Sequence, residues 1–139
     1  MSKGWLTWDT HFDNFNRMET LLLPEFDMAY SALLRDMDSR GLLKNTLVIA
    51  MAEFGRTPKV NPLAGRDHWG SAYCALFAGA GVVGGQNIGA TDETAATVKD
   101  YPCTIEDVIT TVYDRLGIDA TKEYMSRSAV RCVWQTAAK

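Results

Sequence analysis

Histidine is the scarcest functional residue in this chain: there are two, His11 and His68, in 139 residues, and each lies within two positions of an aspartate. Cysteine is nearly as rare. Cys74, Cys103 and Cys132 are far apart, with no CxxC pair, which excludes a zinc knuckle and a disulfide framework. Cys74 sits in an apolar run and reads as a small buried hydrophobe. Basic residues do not outnumber acidic ones: 14 Lys and Arg against 17 Asp and Glu give a net charge of −3. No arginine- or lysine-rich stripe exists to follow phosphates, which argues against nucleic acid as a partner. No apolar run approaches the ~20 residues that span a bilayer, and the opening "MSKGWLTWD" lacks the charged-then-apolar pattern of an export signal. A cytoplasmic protein with no membrane partner is expected. The phosphate-cradling patterns GxGxxG and GxxxxGK[ST] are also missing, so Gly84 and Gly85 read as turn glycines.

What is present is an alternation of helical and strand-like patterns. Phe12, Phe15, Met18, Leu21 and Leu22 recur at helical spacing before Pro24, and Phe26, Tyr30, Leu33, Leu34 and Met37 continue after it. Residues 12–40 therefore predict two helices, or one kinked at Pro24, ending near Gly41. The run from Thr46 to Ala52 is nearly all apolar and too short for a typical helix, as in a strand buried on both faces of a parallel sheet. "AYCALFAGAG" predicts a second strand, and the glycine-rich "GVVGGQNIGATD" a short hairpin or edge excursion. Ile105, Val108, Ile109, Val112, Tyr113 and Leu116 form one helical stripe, with Thr104 and Asp107 as a capping box and Gly117 as the stop. The expected fold is an α/β layered domain with a mostly parallel sheet. Trp5 to Asp9 resembles the end of a strand whose neighbours are missing, so a partial domain is expected. Its open apolar edge would favour self-association.

The chemistry concentrates at strand ends and loops. Asp9 and His11 are two residues apart, so an extended backbone points both to one side. His68 lies in "GRDHWG" with Asp67 beside it, and Glu53 stands at the carboxyl end of the predicted strand, where open α/β sheets bind ligands. Asp9, His11, Glu53 and His68, with Asp67 as a possible additional ligand, offer the oxygen and nitrogen donors that suit Zn²⁺, Mn²⁺ or Fe. Arg56 and Arg66 flank the same loop, and their planar forks match a phosphate or sulfate ester.

At these residues the sequence resembles a known family. "WDTHFDNF", the run "NTLVIAMAEFGRTPKVNPLAGRDHWGSAYCALFAGAGVVGGQNIGATD" and "TIEDVITTVYDRLGID" are similar to the carboxyl-terminal part of the domain-of-unknown-function family 1501, a sulfatase-like group in the alkaline phosphatase superfamily. The resemblance covers roughly residues 4–119, and the remainder, 120–139, reads as an atypical tail. It implies an alkaline-phosphatase-like sandwich, a two-metal centre and hydrolysis or transfer at phosphate or sulfate esters. It also implies one metal held by Asp9, His11 and His68, and Glu53 as the first member of a second-metal pair. Phe54 stands where the superfamily pattern places a histidine. The nucleophile and the remaining metal ligand of the superfamily have no counterpart here, so the isolated chain is expected to turn over little or nothing. Relatives of full length often carry an export signal.

Overall fold

The computed structural model describes residues 7–119, 122–125 and 131–133. The chain divides into two compact units, Met1–Asp100 and Tyr101–Lys139. Trp5 and Leu6, half of the expected strand end, lie outside the described residues; Thr7 to Asp9 form no strand.

In the first unit, helix α1 (Asn14–Arg17) runs through a π-helical turn (Met18–Leu22) into α2 (Leu23–Ser39). Proline lacks an amide hydrogen, and its ring crowds the preceding turn. The widened turn just before Pro24 absorbs that conflict, so the helix continues where the sequence left open a break. It ends at Gly41, whose φ of 70° is left-handed. Phe26 and Tyr30 stack at 5.2 Å, and Trp8 meets Phe26 edge-on at 5.9 Å. These rings seat the segment that carries Asp9 against α2.

Strand β1 (Leu47–Met51) pairs with β4 (Ala75–Gly79) in the register Leu47↔Gly79 to Met51↔Ala75, and the pairing is antiparallel. Between them the chain forms β2 (Gly55–Arg56) and β3 (His68–Trp69), also antiparallel, with Gly55 opposite Trp69 and Arg56 opposite His68. A third ladder joins β5 (Ala90–Thr91) to β6 (Val98–Asp100). Its first strand lies within the glycine-rich stretch that suggested a hairpin, residues 81–92, and its second lies beyond it.

The expected mostly parallel sheet of a partial, alkaline-phosphatase-like layered domain is therefore corrected. The fold is mixed α/β, and its sheets are separate two-stranded antiparallel ladders. The reason is the connection. A parallel neighbour requires a crossover, usually a helix, whereas residues 52–74 return as an irregular loop containing β2 and β3. The β1 run is half-buried rather than enclosed on both faces, and Cys74, expected inside, is exposed. Leu22 is the buried large hydrophobe among the described residues. Among the same residues no helix is long and apolar enough to cross a membrane.

The hairpin loop between β5 and β6 is built on one carboxylate. Asp92 Oδ1 accepts from the Thr94 and Ala96 amides and the Thr94 hydroxyl, and Oδ2 from the Thr97 amide and hydroxyl. These bonds, the Ala96 amide foremost, hold the Asp92 carboxyl well below the usual carboxylate range. The loop in turn presents the Ala96 carbonyl to the Trp69 indole, which donates to it at 2.7 Å.

In the second unit, helix α3 (Ile105–Arg115) starts as its sequence predicts: the Asp107 amide donates to Thr104 Oγ1 at 3.3 Å, and the Thr104 amide to Asp107 Oδ2 at 2.8 Å. Strands β7 (Glu123–Met125) and β8 (Arg131–Val133) form a final antiparallel pair. Thr104→Ala removes the acceptor of the first bond and leaves the Asp107 amide to solvent. It is expected to cost about 1 kcal/mol, read as a lower midpoint in urea denaturation; an unchanged midpoint would show that the box contributes nothing.

Candidate metal centre

The two histidine segments meet because the helix start and the loop 61–66 complete each other's backbone bonds. The first amides of a helix have no partner within it. Here the Asp13 and Asn14 amides donate to the carbonyls of Leu63 and Ala64 at 3.0 and 2.9 Å. The Arg66 amide donates to the Thr10 carbonyl at 3.1 Å. Thr10 is fully buried, and its hydroxyl donates to Asn14 Oδ1 at 2.6 Å. Residues 9–14 are thus fastened along the loop, and the side chains on either side converge.

Three of them form a compact donor set. His11 Nε2 lies 3.0 Å from Asp9 Oδ1, His68 Nε2 lies 3.0 Å from the same oxygen, and the two Nε2 atoms are 3.1 Å apart. A tetrahedral set with metal–ligand distances near 2.0–2.1 Å has donors separated by about 3.3 Å, so this triangle is close to one face of such a set. The proton inventory points the same way. His11 Nδ1 is 2.7 Å from Asp67 Oδ1. An ionised carboxylate only accepts, which places a proton on His11 Nδ1; in the neutral ring this leaves a lone pair at Nε2 facing Asp9 and His68. Such a lone pair 3.0 Å from a carboxylate oxygen is repulsive unless a proton or a metal cation lies between them. His–carboxylate pairing behind the ligating nitrogen is the arrangement that orients imidazole ligands in metal sites.

The carboxylates are charged for the task. Hydrogen bonds from His68 and Arg56 pull the Asp9 carboxyl down to about 2. Contacts with His11 and Asn61 lower that of Asp67. The side chains of His11, His68 and Asp9 are 41, 49 and 55% exposed, so the open side of the triangle faces solvent. The rings are held from behind: Phe54 stacks on His68 at 4.1 Å, and the two imidazoles lie 4.7 Å apart.

Of the residues singled out in the sequence, Asp9, His11 and His68 come together as donors. Asp67 stands one bond behind them. Glu53 is exposed just past the end of β1 and is not a member of the cluster. The two arginines donate to backbone carbonyls, and Arg56 also to Asp9. Arg56 donates from Nη1 to the Arg66 carbonyl at 3.2 Å, and from Nη2 to the Trp8 carbonyl at 2.9 Å and Asp9 Oδ1 at 2.8 Å. Arg66 Nη1 donates to the carbonyls of Thr57 and Pro58 at 2.7 and 2.9 Å. Two residues were not legible. Phe54 supplies a ring face to His68; Asn61 links three segments behind the donors. The only sequence signal for Asn61 was that Asn-Pro marks a turn.

Comparison with curated proteins and with solved structures finds no match to either. The model of one family, described as a protein of unknown function (DUF1501), matches residues 2–132. This corrects the extent expected from the sequence: the match covers almost the whole chain and is not a resemblance to a carboxyl-terminal part that stops at residue 119. Of residues 120–139, read as an atypical tail, 120–132 lie within the matched range. The chain belongs to the DUF1501 family.

Proposed function

We propose that this chain binds one divalent cation of the Zn²⁺, Mn²⁺ or Fe²⁺ type through Asp9 Oδ1, His11 Nε2 and His68 Nε2, and that its ligand class is phosphate or sulfate esters. The observation that supports this most is the donor triangle, with sides of 3.0, 3.0 and 3.1 Å, backed by the His11–Asp67 pair. Sites with three protein ligands keep a position open for water or substrate, unlike closed structural sites. When bound, such a cation polarises an ester oxygen and lowers the pKa of a bound water. The chain's own residues do the rest. Asp67 fixes the His11 tautomer, Phe54 holds the plane of His68, and Arg56 neutralises Asp9 and keeps it ionised.

Ester turnover by this chain is expected to be low. One donor cluster is present among the described residues, and the guanidinium donors of Arg56 and Arg66 named above point to backbone carbonyls and Asp9. Charge developing on a reacting ester would meet a single cation with no second stabiliser.

The test is a titration of the chelator-treated, folded chain with Zn²⁺ and Mn²⁺ by calorimetry. One equivalent bound at micromolar affinity or better is expected. A folded chain that takes up neither ion at a hundred micromolar would sink the reading. Binding also carries a sign with pH. The lowered Asp9 carboxyl is ionised across the neutral and mildly acidic range. The imidazoles must be neutral to bind, so protons compete with the metal for them. Affinity should fall as the pH is lowered from 7.5 to 5.5; a flat profile across that window would mean that the histidines are not ligands.

A further inference from the structure

Resting on that metal reading, we propose that Asn61 is the positioning residue of the centre: its side-chain amide holds the Asp67 carboxylate against His11 and so aims His11 Nε2 at Asp9 and His68. An amide side chain has two acceptor sites and two donor hydrogens, and Asn61 uses all four. Oδ1 accepts from the Leu63 and Gly65 amides, each at 2.9 Å. Nδ2 donates to the His11 carbonyl at 2.9 Å and to Asp67 Oδ1 at 3.2 Å. Two backbone donors on one side and two acceptors on the other leave a single sense for the amide. Its main chain closes the same turn: the Asn61 amide donates to the Gly65 carbonyl, and the Ala64 amide to the Asn61 carbonyl.

The consequence reaches the donors through Asp67 Oδ1, which receives both Asn61 Nδ2 and His11 Nδ1. The Asp67 side chain is 53% exposed, so without the amide its carboxylate is free to turn into water. The proton of His11 then loses the partner that keeps it on Nδ1. One side chain therefore shapes the loop, anchors the backbone of His11 and sets the tautomer of its ring.

Asn61→Asp separates these roles. It has the same shape and keeps acceptors for the Leu63 and Gly65 amides, but at pH 7.5 it sets a carboxylate against the His11 carbonyl and Asp67. The variant and the wild type are titrated with Co²⁺, and the histidine tautomers of the metal-free proteins are read from long-range ¹H–¹⁵N correlations. Expected are a 10- to 100-fold weaker Co²⁺ affinity, the range for losing a partner behind a metal ligand, and loss of the Nδ1–H tautomer at His11. Asn61→Ser, whose hydroxyl accepts from the turn but is too short to reach Asp67, should weaken binding in the same direction if the aspartate variant does not fold. Affinity within twofold of wild type, or weaker binding with the His11 tautomer unchanged, overturns the proposal while leaving the metal reading standing. A wild type that binds no Co²⁺, Zn²⁺ or Mn²⁺ overturns the metal reading itself and this proposal with it.

Discussion

Gly65→Ala is expected to abolish metal binding and to destabilise the first unit by about 3 kcal/mol or more, at or above the upper end for overpacking a filled site. Gly65 is buried. A methyl group there would run into the carbonyl group of His11 and the amide nitrogen of Phe12. Those are backbone atoms, so no rotamer change relieves the overlap. They are also pinned: the Arg66 amide bonds to the Thr10 carbonyl, the Asp13 and Asn14 amides to Leu63 and Ala64, and Asn61 Nδ2 to the His11 carbonyl. Relief must come by moving the histidine segment away from the loop, which breaks those bonds and pulls His11 from His68. The same hexapeptide supplies the control. Gly70, the other glycine of "GRDHWG", has nothing near its Cβ position and no left-handed φ. Gly70→Ala should leave Zn²⁺ affinity and thermal midpoint nearly unchanged. The idea fails if the two variants behave alike in calorimetric titration and melting.

His68→Ala is expected to weaken Zn²⁺ or Mn²⁺ binding by more than about 100-fold, beyond the 10- to 100-fold typical of residues that stand behind the ligands. His68 is the cleaner of the ligand deletions. Removing Asp9 would also strip a partner from Arg56, which bonds to its Oδ1 at 2.8 Å. His68 lies on β3, whose pairing with β2 is made by backbone, so its deletion leaves the ladder in place. It does uncover the Phe54 ring that stacks on it, so the loss should be read as affinity at a temperature where circular dichroism shows the variant folded. Glu53→Ala is the companion measurement. A comparable loss there would bring Glu53 into the donor set; unchanged affinity would leave it outside. Retention of wild-type affinity by His68→Ala would remove the centre's third donor and the metal reading with it.

Much of the local structure was legible in the sequence. The Thr104–Asp107 box and the stripe from Ile105 to Leu116 announced α3, because capping and helical periodicity are properties of neighbouring residues. The apolar runs announced β1 and β4, and the pairing of scarce histidines with aspartates announced the donors. What those runs do not contain is a direction. A strand of Leu, Val, Ile and Ala has the same composition whether its neighbour runs parallel or antiparallel. The choice fell to the irregular course of residues 52–74, so the expected parallel sheet gave way to separate ladders.

The candidate site divides in the same way. The types and spacing of Asp9, His11, Asp67 and His68 suffice to nominate ligands, since donor chemistry belongs to side chains. Their convergence depends on bonds between residues some fifty positions apart, such as Asn61 with His11, which no local pattern records. The charge and place of the arginines suggested anion binding; only the fold shows that Arg56 and Arg66 donate to backbone carbonyls, and Arg56 to Asp9 as well. By itself, the sequence determined which atoms can bind a cation and where helices and strands begin. Only the tertiary structure decided which of those atoms meet, because that rests on close backbone approach, and a residue such as Gly65 reveals its purpose only when its neighbour in space is known.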